Sequence, residues 1–215
     1  MLKALDHIAL VVADLEIAVA GYEALLSRQV GGGRFQLSNT ALTLASGDGP
    51  EGISALSFTG EADPGDTHGV AIRLVRDEPP PPSPFVADEA AAVSGLDHLV
   101  INTPDPQRAI ALYGGRLGLD LRLDRTNPDW GMRLLFFRCG GLIVEIAHAL
   151  NGPSEGLDSV WGLTWRVPDI DAAHARIAPL FKTSDVRTGR KPGTRVFTVR
   201  DAPAGVPTLI LGKEA

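Results

Sequence analysis

The chain has 215 residues, 44% of them hydrophobic, enough apolar material for a substantial core, and its single cysteine, Cys139, excludes an intrachain disulfide. Its 20 basic against 26 acidic residues, with no basic block longer than Arg190-Lys191, exclude the charge pattern of a nucleic-acid or anionic-membrane binder. Residues 1–15 are too short and too charged for a signal peptide or a membrane span, so a cytoplasmic protein with a small-molecule partner is expected.

In chain order, "LDHIALVVADL" at 5–15 reads as a strand ending in Asp14, a helix cap, with Leu15, Ala18, Tyr22, Leu25 and Leu26 then following at helical spacing. "RFQLSN" and "ALTLAS" follow as strands, and "GISALSFTG" resembles the opening strand of a further unit. No helix follows it. "EADPGDTHG" holds turn formers and leads to "VAIRLV", so a degenerate unit without its helix is expected. Such a unit leaves a sheet face uncovered, and a homodimer is the expected means of burying it. The Pro-rich stretch at 79–94 reads as a stiff connector between an N-terminal half, 1–78, and a C-terminal half, 95–215.

"LDHLVINTPDP" at 96–106 then repeats the opening of the chain. At a constant offset of 91 residues Leu5, Asp6, His7, Asp14, Ala18, Ala20, Tyr22 and Leu26 match Leu96, Asp97, His98, Asp105, Ala109, Ala111, Tyr113 and Leu117. A helix over 105–117 and the strands "LDLRLD", "MRLLFFRC" and "LIVEIAH" follow, the last two joined by Gly140-Gly141 as a tight hairpin. A weaker copy, "GLTWRVPDIDAAHARIAPL", puts Asp169 where Asp105 stood and Gly162 where His98 stood. It predicts a helix over 169–181, followed by the strands "SDVRTG", "TRVFTVRD" and "PTLILG". The repeating unit is βαβββ, and the class is α+β.

A βαβββ unit opening with "DHIALVV" or "DHLVINT" and capped by Asp resembles the vicinal oxygen chelate superfamily of glyoxalase I, extradiol dioxygenases and bleomycin-resistance proteins. The resemblance implies paired units forming curved, cupped mixed sheets with the helices on the convex side. It also implies a divalent metal ion in the cup, held by His or Glu on each unit's first strand and Glu on each unit's last. His98 and Glu145 match two such positions; in the last unit the corresponding residues are Gly162 and Ile210. The first unit keeps His7 but has Thr43 in place of the Glu, and the degenerate unit has Ser54 at its first position.

Read on their own chemistry, these residues rank differently. Glu145 lies within an apolar run and needs compensation: a metal shared with His98, an arginine (Arg133, Arg195 or Arg166), or a proton retained through burial. His98 alternates onto the face of Leu96 and Val100, and its pairing with Glu145 singles it out. His7 lacks a carboxylate partner of that kind and reads as a core histidine; His68, His148 and His174 read as structural or solvated. "NPDWG" is a turn that places Trp130 over the cup's mouth, and Trp165 is a candidate for its wall. "VRTGRKPGTR" gathers Arg187, Arg190, Lys191 and Arg195 around two glycines, a candidate gate for a carboxylate. No phosphate loop, dinucleotide fingerprint or Ser/His/Asp set stands out, so no nucleotide cofactor is expected.

Two functions fit. One is a glyoxalase- or dioxygenase-like enzyme acting on a small, anionic, oxygen-rich molecule, with Glu145 catalytic and a divalent metal at His98 and Glu145. The other is a metal-free binding or sequestering module of the bleomycin-resistance kind. The His98/Glu145 pair favours the first; Gly162 and Ile210 favour the second.

Overall fold

The computed structural model describes residues 1–31, 33–75 and 90–214. Most of the connector expected at 79–94 lies outside them. The N-terminal half contributes β1 (Leu2–Val12), α1 (Leu15–Leu26), β2 (Arg34–Gln36), β3 (Ala41–Ser46), β4 (Gly52–Gly60) and β5 (Ile72–Val75). These strands form one sheet in the order β2-β3-β1-β4-β5. The first unit thus has three strands rather than the four of a βαβββ unit. No helix separates β4 from its parallel neighbour β5, as the turn formers between them require.

The C-terminal half contributes β6 (Gly95–Asn102), α2 (Pro106–Ala109, widening into π-type turns over Ile110–Arg116), β7 (Asp120–Asn127), β8 (Met132–Cys139) and β9 (Leu142–Ala149). It continues with β10 (Ser159–Arg166), α3 (Ile170–Ile177), β11 (Arg187–Thr188), β12 (Thr194–Val199) and β13 (Thr208–Lys213). Two complete βαβββ units share one eight-stranded mixed sheet, β11-β12-β13-β10-β6-β9-β8-β7. Their first strands, β6 and β10, meet antiparallel at its centre, and each last strand runs parallel to its own first. This is the glyoxalase/dioxygenase-like α+β arrangement expected.

Asp14, Asp105 and Asp169 cap the three helices; the Asp105 and Asp169 carboxylates each accept two backbone N–H bonds. After Ala109 the helix loosens at Gly114-Gly115, where Leu117 N–H reaches back five residues to Leu112 O at 2.8 Å. The third helix is shorter than the expected 169–181: past Ile177 the chain keeps only a closing turn. One apolar cluster runs from Leu2 and Leu5 through Leu99 and Phe137 to Phe197 and Ile210, so both halves share a core.

An uncovered apolar face within 48–93 is not found among the described residues: Leu56, Phe58 and Val70 are buried, and the exposed large apolar residues lie elsewhere. The connection between β4 and β5 does the burying, because Val70 and Ala62 join the core cluster.

Candidate functional site

The two Leu-Asp-His copies create one local device. Along β6, His98 stands opposite Thr164 while Leu96 stands opposite Trp165, which leaves Asp97 as an extra residue, a β-bulge. A bulge turns its two residues to the same face, so Asp97 and His98 both face away from the helices and Asp97 Oδ2 lies 2.9 Å from His98 Nδ1. Leu96 is thereby sent into the core and does not share the face of His98, contrary to simple alternation. In β1 the register slips in the same way around Asp6, and Asp6 Oδ2 lies 2.6 Å from His7 Nδ1.

On the other side of the His98 ring, Nε2 lies 2.9 Å from Thr164 Oγ1 and 3.6 Å from Glu145 Oε2. Asp97 and Thr164 thus engage the two ring nitrogens of His98 from opposite sides. Glu145 is brought there by register, since the parallel pairing of β6 with β9 puts Val100 beside it. Val100, Leu134 and Ala147, with Met132 and Phe136 against them, form an apolar floor separate from the main core. Met132 and Ala147 also line a cavity of about 370 Å³ at the ends of β6 and β9, together with Asn102 and His148.

Burial raises the Glu145 carboxyl above its ordinary range and Asp97 adds to that, while the charges of His98 and Arg190 oppose it. Asp97 behaves oppositely. Burial works against its ionisation, but the His98 hydrogen bond and the charges of His98, Arg166 and Lys191 outweigh that and hold the carboxyl below its ordinary range.

The sheet's opposite edges meet over this face. Asn127 Oδ1 accepts the Trp130 N–H at 3.2 Å and fixes the turn after β7; the guanidinium of Arg190, from the β11–β12 turn, lies 4.4 Å from the centre of the Trp130 ring. Arg125 of β7 stands 5.4 Å from the same ring. Arg187 pairs with Val196 on the edge strand β11.

Other candidates are placed elsewhere. Trp165 is fully buried in the main core, because it follows Thr164 on β10 and Thr164 faces His98 on the other side of the sheet. Arg195 faces the helix layer and pairs with Asp171 of α3 at 2.5 Å. Arg133 makes a bidentate pair with Asp124 at 3.0 and 2.7 Å, and Arg166 donates to Leu96 O and Gly141 O. These three arginines are therefore engaged away from the Glu145 carboxylate. His148 lies 3.1 Å from Thr103 O, and His174 packs edge-on against Phe197.

The remaining family positions bear on a metal. Counting register rather than sequence, the residue matching Glu145 on β13 is Leu209, beside Thr164, since Ile210 points into the core. In the degenerate unit the first-strand position is likewise Ala55, opposite Ala9, while Ser54 is the bulged residue. Gly162 cannot carry a ligand without rearrangement: a Cβ there would lie 2.5 Å from Pro207 O. Among the described residues no three His, Cys, Asp or Glu side chains are placed to share a cation. With Asp97 and Thr164 already on the two nitrogens of His98, this donor set does not fit a resident divalent ion, which ordinarily takes at least three protein ligands. Asp97, Thr164 and Arg125 were not singled out from sequence; the Asp preceding both histidines was the available signal.

Residues 97–197 match the model of the Glyoxalase/Bleomycin resistance protein/Dioxygenase superfamily. This half belongs to the vicinal oxygen chelate superfamily. Methylmalonyl-CoA epimerase from Mycobacterium tuberculosis is similar over 61% of this chain and 94% of its own, with 22% identity and a TM-score of 0.50. BphC, a halotolerant catechol dioxygenase, is similar over 99% of this chain and 87% of its own, with 14% identity and a TM-score of 0.69. At such identities the likeness is one of vicinal oxygen chelate fold. No curated protein matches the sequence.

Proposed function

We propose that the C-terminal cup binds a small carboxylate and that Glu145 exchanges a proton with it, without a resident metal. The observation that carries this is the Glu145 carboxyl beside His98, nearly enclosed, under the cationic rim of Arg190 and Lys191. The ligand's carboxylate sits against Arg190 and Lys191, with Trp130 stacking on its flat part. Asp97 and Thr164 hold the His98 ring so that its Nε2 edge stays beside Glu145. Ionised Glu145 takes a proton from the ligand and returns it, a role suited to a carboxyl whose proton affinity is raised. Two copies are proposed to associate along the exposed β7 edge, where Leu121 and Leu123 remain open.

The second reading, plain sequestration, is favoured by Gly162 and Leu209, which add no polar group opposite Glu145. One experiment separates the two. In chelator-treated protein, a panel of small carboxylates should include one that raises the melting temperature, and Arg190→Ala should abolish that shift. Incubation in deuterated water should then place deuterium in that ligand with wild type and not with Glu145→Gln. Binding without exchange in wild type establishes sequestration, and absence of any stabilising carboxylate overturns both readings.

A further inference from the structure

The N-terminal sheet repeats the bulge without repeating the carboxylate, and what surrounds His7 has a different chemistry. Phe35 is buried against Tyr22 of α1, so its neighbour Arg34 on β2 faces the side away from the helix. Arg34 pairs with Thr43 on β3, and His7 pairs with Ser57 on β4, which pairs in turn with Arg73 on β5. Ile72 and Leu74 pack on the core, which turns Arg73 to the His7 face. One face therefore carries Arg34, His7 and Arg73 over a floor of Ala9, Ala41, Thr43, Ala55 and Ser57.

Asp6 is the only acidic residue in the five strands of this sheet, and it is already shared by His7 Nδ1 at 2.6 Å and Arg34 Nη2 at 3.3 Å. Arg34 Nε is shielded from solvent without an acceptor. Arg73 is exposed and makes no hydrogen bond or ion pair among the described residues. Among the described residues, two guanidinium groups against one carboxylate leave an excess of positive charge on a face floored by small side chains, within a protein of net charge −6.

We infer that this face is a second binding site, for a small oxyanion, a carboxylate or a phosphate, held by Arg34 and Arg73 with His7 between them. Asp6 fixes the His7 ring as Asp97 fixes His98, and guanidinium groups supply the donors that oxyanions require. The site uses no residue of the C-terminal cup.

Titration of the isotope-labelled full chain with succinate, and separately with inorganic phosphate, tests this by NMR. Saturable shifts are expected at the amides of residues 7–9, 57 and 73 and at the His7 imidazole. The exposed Arg73→Gln should weaken them by about fivefold or more, while Arg190→Ala leaves them unchanged. Saturation by either probe, weakened in Arg73→Gln, supports the site, and the tighter probe names the ligand as carboxylate or phosphate. Saturation by neither probe, or titrations indifferent to Arg73→Gln, overturns it.

Discussion

Glu145 lies on a strand whose neighbours Val144 and Ile146 are fully buried, and its side chain keeps only 13% of its exposure. Its proton affinity is raised by that burial, so the native state binds more protons than the unfolded chain in a window above the ordinary glutamate range. Stability therefore falls as pH rises through that window. Glu145→Gln removes the titration, and thermal melts from pH 4 to 8 should show a flatter profile with a higher melting temperature than wild type at the alkaline end. A variant less stable than wild type at neutral pH would mean that the carboxylate is compensated and not merely enclosed. His98 presents the contrasting case: its surroundings follow from the adjacent Asp97, a relation visible in the string Leu-Asp-His once the bulge is known.

At the scale of elements, the alternation of apolar residues was legible, and so were the Asp caps of all three helices. What alternation could not supply was register. A single inserted residue reverses the face of the side chains beyond it, which is why Leu96, placed by alternation on the face of His98, is found on the opposite face in the core. On β13 the parallel register with β10 makes the same distinction, setting Leu209 beside Thr164 and Ile210 beside the buried Trp165. Gly162 shows the reciprocal effect, a residue whose meaning is steric. Pro207 O accepts the Leu163 N–H at 2.9 Å and closes over the glycine. Gly162→Ala should cost about 1–3 kcal/mol by chemical denaturation, and an unchanged midpoint would show that the strand ends can separate freely.

For the whole molecule, the halves are tied together by polar clamps as well as by the shared core. Arg176 of α3 donates to Ala24 O, to Leu25 O at 2.9 Å and to Ala91 O, covering carbonyls of the last turn of α1 that have no partner within the helix. Asn39, in the turn between β2 and β3, both accepts from Leu96 N–H and donates to Leu96 O, one residue before the Asp97 bulge. Removing charged donors from such carbonyls costs more than removing a surface contact. Arg176→Ala should lose about 2 kcal/mol and lower the melting temperature by about 4–8 °C. Because the core is common, calorimetry should still show one transition; two resolved transitions in the variant or in wild type would mean that the halves unfold independently.

The amino-acid sequence by itself determined the repeat, the three capped helices, the strands that follow them and the loss of a helix after β4, because each depends on neighbours a few residues away. It also determined that His98 and Glu145 belong to one unit. Which residues surround them was decided by the tertiary structure. Asp97 joins His98 through a bulge, Thr164 arrives from the antiparallel strand of the other unit, and Arg190 comes from the opposite edge of an eight-stranded sheet to rest on Trp130. Those contacts span up to 66 residues of chain and depend on strand register and sheet curvature, which no local pattern encodes.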